Sequence, residues 1–426
     1  MKKPFRKISG SICAPLGFKA AAVFCDIKRI GTGKGSEKGP KRDLALILSD
    51  VPAAVAGMFT SNQVCAAPVK VSAKNAARDF ARGFVVNSGN ANACTGEQGL
   101  KDARLMTALA AKHLGGSANQ FLVCSTGRIG VPMPMANVKR GIADAAPRLT
   151  RSSAAARDAA EAIMTSDTRR KEIAVEFKLG GVPVRIGGIC KGAGMIQPQM
   201  VPHATMLGFI TTDAAVESDY LKRALATAVA QSFNRITVDG DMSTNDAVLV
   251  LANGLAGNKS IDRALFQSAL NFVTLELATM IVRDGEGVTR FVTLHVHGAS
   301  TTADAEAVAR AVGNSTLVKT SWFGGDPNWG RILCAIGYSK AKVTEAKIAV
   351  GYSRAGRTKI TFAVRSGQPT RVGLRTLGAI VAGQEFDLHI FLNAGRHDCV
   401  LYTSDLTEEY VEFNKGDLSD PASLGG

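Results

Sequence analysis

The chain has 426 residues, 46% of them hydrophobic and 20% charged, with a formal net charge of +15. That balance suits a soluble globular protein with a large core and two lobes, and no apolar run approaches the ~20 residues of a membrane helix. The basic start, Met1 to Lys7, leads into no long apolar stretch of the secretory kind, and the positive excess is spread out, with its densest cluster at 28–42 lacking aromatic residues for base stacking, so nucleic acid is not an expected partner.

Short apolar runs bounded by polar residues predict buried strands at Leu44 to Leu48 and at Phe84 to Asn87. Helical spacing of Leu100, Ala103, Met106, Ala110 and Leu114 predicts a helix over 98–114, closed by Gly115-Gly116. A strand at Gln120 to Cys124 runs into Ser125-Thr-Gly-Arg-Ile-Gly130, and an alanine-rich helix follows at Ser152 to Met164. Strands at Glu172 to Leu179 and Val182 to Ile189 flank Gly180-Gly181, a two-residue hairpin signal. The segment from Lys191 to Leu207 is broken by glycine and proline and ends in Ala204-Thr205, just before a strand-like run, Gly208 to Asp213. A threonine at a strand mouth can act as a nucleophile once freed as a chain N-terminus, because its own α-amino group then lies beside the hydroxyl.

Helices are expected at Tyr220 to Phe233 and Ile261 to Ile281. Arg290 to His297 alternates as a half-exposed strand, with His295 and His297 on one face. Two imidazoles alone do not complete a metal site, so no metal is expected. Two hairpins are predicted near the end, Lys347–Gly351 with Lys359–Val364 and Phe386–Leu392 with Cys399–Thr403, before a short helix at Leu406 to Phe413. Antiparallel hairpins mixed with helices argue for an α+β fold of sandwich layers rather than a doubly wound parallel sheet. The eight cysteines contain no C-x-x-C pair, and the six histidines do not join them at zinc-ligand spacing, which suits reduced thiols in a cytoplasmic protein.

Two motifs fail on inspection. Gly31-Thr-Gly-Lys-Gly35 lacks the hydroxyl residue that a phosphate loop needs after its lysine. Asp239 to Asp246 is acid-rich like a calcium loop, but it has no glycine at the sixth position and Val250 stands where the bidentate glutamate belongs.

Seven segments in order carry a resemblance. They are Asn87-Ser-Gly-Asn-Ala-Asn-Ala-Cys-Thr-Gly-Glu-Gln-Gly99, Ser125-Thr-Gly127, Lys191-Gly-Ala-Gly-Met-Ile196, Ala204-Thr-Met-Leu207, Phe233-Asn-Arg-Ile-Thr-Val-Asp-Gly-Asp241, Val282-Arg-Asp-Gly-Glu-Gly287 and Gly325-Asp-Pro-Asn-Trp-Gly-Arg-Ile332. With them the chain resembles the ornithine acetyltransferase (glutamate N-acetyltransferase) family over nearly its whole length. The resemblance implies a layered sandwich of the N-terminal-nucleophile type and self-cleavage between Ala204 and Thr205. It thereby implies an N-terminal lobe over 1–204 and a C-terminal lobe over 205–426, assembled as two copies of each fragment. It implies acetyl transfer from N2-acetylornithine to glutamate through an acetyl-threonine on Thr205, with Thr126 and Gly127 as the oxyanion pair. By family position Thr168, Lys191, Thr205, Glu286, Asn414 and Ser419 hold substrate, with Lys191 suited to a carboxylate and Glu286 to an ammonium. No cofactor is implied, and acetyl-CoA is a co-substrate only in the bifunctional members; the sequence leaves open which kind this is.

The family pattern runs Pro-x-Met directly into Ala-Thr, whereas here Val201-Pro-His203 intervenes; the preferred reading is a longer exposed cleavage loop, the other a misplaced scissile carbonyl and a slower cut. Two other readings stand beside the transferase. A self-processing amidase or aminopeptidase would pass the acyl group to water, and a basic binding protein with a degenerate site would stay uncut.

Overall fold

The computed structural model describes residues 4–28, 41–199 and 206–415. The expected cleavage point at Ala204 and Thr205, the inserted Val201-Pro202-His203, Ser419 and most of the basic segment at 28–42 lie outside the described residues.

Among the described residues the strands form two sheets. The first contains β1 (Arg6–Lys7), β2 (Phe18–Val23), β3 (Leu44–Phe59), β4 (Phe80–Asn90), β5 (Phe121–Arg128), β6 (Lys171–Leu179), β7 (Val182–Lys191), β8 (Leu207–Thr212) and β9 (Ala247–Ala252). Its order is β1-β6-β7-β8-β9-β3-β4-β5, with β2 paired to β3 off that path. The second contains β10 (Phe291–Ala299), β11 (Ala349–Arg354), β12 (Thr361–Arg365), β13 (Gln368–Pro369), β14 (Glu385–Phe391) and β15 (His397–Ser404), in the order β13-β12-β11-β14-β10-β15.

The first sheet is apolar on both faces, so its central strands read as continuous hydrophobic runs. Ile210, Val248 and Val250 face the helices Ser218–Ala230 and Arg263–Arg283, while Phe209, Leu249 and Leu251 face the alanine-rich helix Ser153–Ala162. Alanine suits that second contact because a small side chain lets helix and sheet approach closely. The helix Arg263–Arg283 has the length and hydropathy of a membrane span, but half of its apolar stretch, including Phe266, Leu270, Val273, Leu277 and Ile281, is buried in this core. The second sheet is covered by helices on one face. Val292, Leu294, Val296, Leu388 and Ile390 pack there with Trp322, Ile332 and Leu377.

The mixed α+β layering agrees with the sequence expectation, as do the Gly180-Gly181 hairpin of β6 and β7 and the pairing of β11 with β12. Two expectations need correction. β14 and β15 do not pair as a hairpin; β10 lies between them, parallel to β14 and antiparallel to β15. The lobes also do not divide at residue 204. β8 and β9 belong to the first sheet between β7 and β3, so each sheet is complete only when chain from after residue 205 is included. β8 supplies Phe209 and Ile210 to the two opposite faces of that sheet, which is why it is buried throughout.

Candidate active site

Among the described candidates, Lys191 and Thr126 meet where β7 ends, β8 begins and β5 nears its end. Lys191 is the last residue of β7 and is paired in register with Leu207, the first residue of β8. Met206 leads into that strand as a buried residue, its carbonyl accepting the Ala247 N–H at 2.8 Å. The chain therefore re-enters the sheet beside Lys191.

Lys191 is a buried cation, 8% exposed. Its Nζ donates to Thr165 Oγ1 at 2.6 Å and to Thr126 Oγ1 at 3.2 Å, and lies 4.0 Å from Asp167 Oδ2. Burial pushes its pKa down, with Asp167 opposing that shift. Because Thr126 Oγ1 accepts from Lys191, the hydroxyl hydrogen of Thr126 is left free to be donated elsewhere.

Gly127 follows Thr126 at the end of β5 with φ +128°, in a conformation that favours glycine. A Cβ there would lie 2.4 Å from the Gly89 carbonyl carbon and 2.6 Å from the Asn90 nitrogen. The side-chain-free backbone lets β4 and β5 cross closely. The surroundings are bound together by side-chain hydrogen bonds. Ser125 Oγ donates to Asn87 Oδ1 at 2.6 Å, and Asn245 Nδ2 bridges the carbonyls of Ala91 at 2.6 Å and Ser125 at 2.8 Å.

Thr168 reaches this group indirectly. Its hydroxyl donates to Asp284, which also accepts the Thr168 N–H at 3.1 Å and the Arg169 N–H at 3.2 Å. Lys171 Nζ joins Asp284 at 2.5 Å to Asp167 at 2.6 Å, and Asp167 in turn accepts the Gly192 N–H at 2.7 Å. The result is a buried chain of two lysines and two aspartates with no net charge. Burial by itself would raise the Asp167 pKa, but the Lys191 and Lys171 ammoniums and the Gly192 N–H hold it at about 2. Burial likewise opposes the charge on Lys171, and Asp167 and Asp284 outweigh it, so its pKa is raised. Asp167 is thus firmly ionised at neutral pH.

Glu286 and Asn414 do come together, with Asn414 Nδ2 donating to Glu286 Oε2 at 2.9 Å. The Glu286 carboxylate lies against Gly194, where a Cβ would sit 2.4 Å from Oε2, and the Glu286 N–H donates to the Ala193 carbonyl at 3.0 Å. Asp239 pins the same turn by accepting from the N–H groups of Met195 at 2.6 Å and Ile196 at 2.8 Å. Its carboxylate is thus occupied by backbone donors.

The sequence reading missed Asp167, Lys171, Asp284, Asp239 and Asp246. Asp284 stood inside a quoted motif and Asp167 beside Thr168, but each alone looks like a surface charge. Asp246 is the least expected. It precedes β9, whose first residue pairs with Leu207, so it flanks the entry of Met206. It is 2% exposed, its Oδ2 has no hydrogen-bond partner among the described residues, and burial raises its pKa well above the ordinary carboxylate value, against the hydroxyls of Ser243 and Thr60 and the Lys191 charge.

Comparison with known proteins gives consistent matches. The model of the ArgJ family matches residues 20–416. The arginine biosynthesis bifunctional protein ArgJ of Symbiobacterium thermophilum is 45% identical over 412 residues, covering 96% of this chain and 98% of that protein. The glutamate N-acetyltransferase of Methanocaldococcus jannaschii is 43% identical over 417 residues, covering 96% and 98%. A solved structure of ornithine acetyltransferase complexed with ornithine, from Mycobacterium tuberculosis, is 35% identical and covers 46% of this chain and 100% of that chain, at a TM-score of 0.41.

Proposed function

The chain belongs to the ArgJ family of arginine-biosynthesis acetyltransferases, and from that membership we propose that it carries an acetyl group from N2-acetylornithine to glutamate on Thr205, after cutting itself between Ala204 and Thr205. The observation that carries this reading is the meeting of Lys191 and Thr126 beside the re-entry of the chain at Met206 and Leu207.

In the cut, Thr205 Oγ attacks the Ala204 carbonyl carbon, the peptide C–N bond breaks, and the nitrogen takes the proton. Water then hydrolyses the ester, leaving the Ala204 carboxylate and a free Thr205 amine. That amine has an ordinary pKa near ~8, close enough to neutral to act as a general base. It removes the Oγ proton as Oγ bonds to the acetyl carbon of N-acetylornithine. The oxygen that becomes negative takes hydrogen bonds from the Thr126 hydroxyl and the Gly127 N–H. Lys191 strengthens the first of these donors, because its ammonium draws electron density from Thr126 Oγ1 at 3.2 Å. The C–N bond to ornithine then breaks, and the protonated Thr205 amine returns its proton to the leaving nitrogen. The glutamate amine attacks the acetyl-threonine by the reverse path and leaves as N-acetylglutamate.

In this reading Glu286, which accepts from Asn414, takes the ammonium of the amino-acid substrate, and Thr168 acts by holding Asp284 in the buried network. Lys191 is already committed to Thr126, Thr165 and Asp167, which suits tuning the oxyanion donor better than holding a substrate carboxylate. Two copies of each fragment form the assembly in this reading, and acetyl-CoA is a second donor to be assayed in parallel.

Intact mass with N-terminal sequencing tests the cut. The expected result is a fragment beginning Thr-Met-Leu-Gly that is absent in Thr205→Ala; an uncut active wild type would overturn the nucleophile. An assay of acetyl transfer to glutamate against release of free acetate separates the transferase from an amidase.

A further inference from the structure

The face of the second sheet opposite its helices carries three imidazoles that the acetyl-transfer chemistry does not use. His295 and His297 alternate on β10. β14 runs parallel beside it, with His389 directly opposite His295 in the ladder. The even-numbered neighbours Leu294, Val296, Leu388 and Ile390 point the other way, into the core. The backbone therefore holds all three histidines on one side of two adjacent, fully paired strands. Each offers one ring nitrogen, and the three nitrogens lie within 4.8 Å of one another.

His389 supplies the second observation. It is 8% exposed, and its Nδ1 is buried with no hydrogen-bond partner among the described residues. Its Nε2 lies 3.0 Å from Ser353 Oγ on β11. If Ser353 accepts from Nε2–H, the lone pair is fixed on Nδ1, as happens where an outer partner orients a metal-binding histidine. A buried acceptor without a donor is a cost that needs a cause. Asp398 lies 3.8 Å from His297 Nδ1 and can play the matching outer part there, leaving Nε2 of His297 for a ligand.

We propose that His295, His297 and His389 form a binding site for a divalent transition-metal ion of the zinc class. Neutral imidazoles suit zinc, cobalt, nickel and copper, and do not suit magnesium or calcium. Three histidines leave one tetrahedral position open, and the intermediate exposure of His295 and His297 turns that position toward solvent. The rings now stack, with centroids 4.8 Å apart for His295 and His389 and 5.8 Å for His297 and His389. Tetrahedral zinc bonded at ~2.0–2.1 Å sets its nitrogens roughly 3.3 Å apart. Binding therefore requires the imidazoles to turn so that their nitrogens draw closer by up to about 1.5 Å. The bound ion would clamp β10 to β14, which are separated by the intervening chain from 300 to 384 but lie next to each other in the sheet.

The test uses the full, tag-free chain after removal of metal by a chelator. Zinc is added, excess is removed by gel filtration, and bound zinc is measured by mass spectrometry; cobalt(II) is added in parallel for its visible spectrum. The expected result is one zinc per chain and a cobalt spectrum of nitrogen ligation without the thiolate charge-transfer band. Affinity should fall at least tenfold in His389→Gln and in His295→Gln/His297→Gln, about tenfold in Ser353→Ala, and not at all in His113→Ala, which alters an exposed histidine on another element. Wild-type chain that retains no zinc, binding that survives His295→Gln/His297→Gln, or a thiolate band would each overturn the proposal. The His295 and His297 pair is partly exposed, so its double variant decides the matter even if His389→Gln fails to fold; thermal melting and acetyl transfer report whether each variant is intact.

Discussion

Asp167→Asn removes one negative charge from the centre of the buried network while nearly preserving volume. The side chains of Asp167 and Lys171 are 0% and 1% exposed, and that of Asp284 is 5% exposed, so solvent screening hardly softens the loss. Holding Asp167 at about 2 instead of 3.8 is worth about 2.4 kcal/mol at ~1.4 kcal/mol per pH unit. Leaving Lys171 and Lys191 with one carboxylate between them adds an uncompensated buried charge, and breaking such a pair typically costs ~3–5 kcal/mol in total. The variant should therefore unfold in urea with about 3–5 kcal/mol less stability at pH 7. A depressed carboxylate contributes stability above its unfolded pKa and loses it as the pH falls through the folded one. The gap between wild type and variant should thus be level from pH 7 to pH 5 and about 1 kcal/mol smaller at pH 3. A loss under ~1 kcal/mol, or a gap as large at pH 3 as at pH 7, would refute the claim that this network is held together by charge.

Other outcomes follow from the same geometry. Thr126→Val removes one oxyanion donor while keeping its shape, so kcat should fall about 10²–10³-fold with KM little changed; a change confined to KM would argue that Thr126 only binds substrate. Gly127→Ala forces a Cβ to within 2.4 Å of the Gly89 backbone, and it should cost at least as much activity, together with a lower melting temperature. Asp246→Asn should be more stable than wild type at neutral pH. The raised pKa of Asp246 means that the wild type is at its best below the ordinary carboxylate value and loses stability as the pH rises toward the folded value. The advantage of the variant should therefore grow in thermal melts as the pH rises above about 4, and an advantage independent of pH would show that the charge is not the cause.

Much of the fold and of the candidate site was legible in the sequence. The β6–β7 hairpin was written in Gly180-Gly181 because a two-residue turn is decided by its own residues. Thr126, Gly127, Lys191 and Glu286 stand in compact motifs; among the described residues Lys191 meets Thr126 at the ends of β7 and β5, and Glu286 lies against Gly194. What the sequence by itself determined was local: period, turn chemistry, and the residue types at the strand mouths.

The tertiary structure alone decided which strands are neighbours and which charges are buried. β14 and β15 look like a hairpin until β10, from about a hundred residues earlier, pairs with both. Asp284 and Lys171 look like surface charges until strand β6 and the end of helix Arg263–Arg283 bring them to 2.5 Å out of water. His295 and His297 are two ligands in the sequence and three in space, because β14 supplies His389. Periodicity is a property of a few adjacent dihedral angles and can be read along the chain. Burial and charge pairing depend on contacts made across hundreds of residues, and those exist only once the sheets have closed.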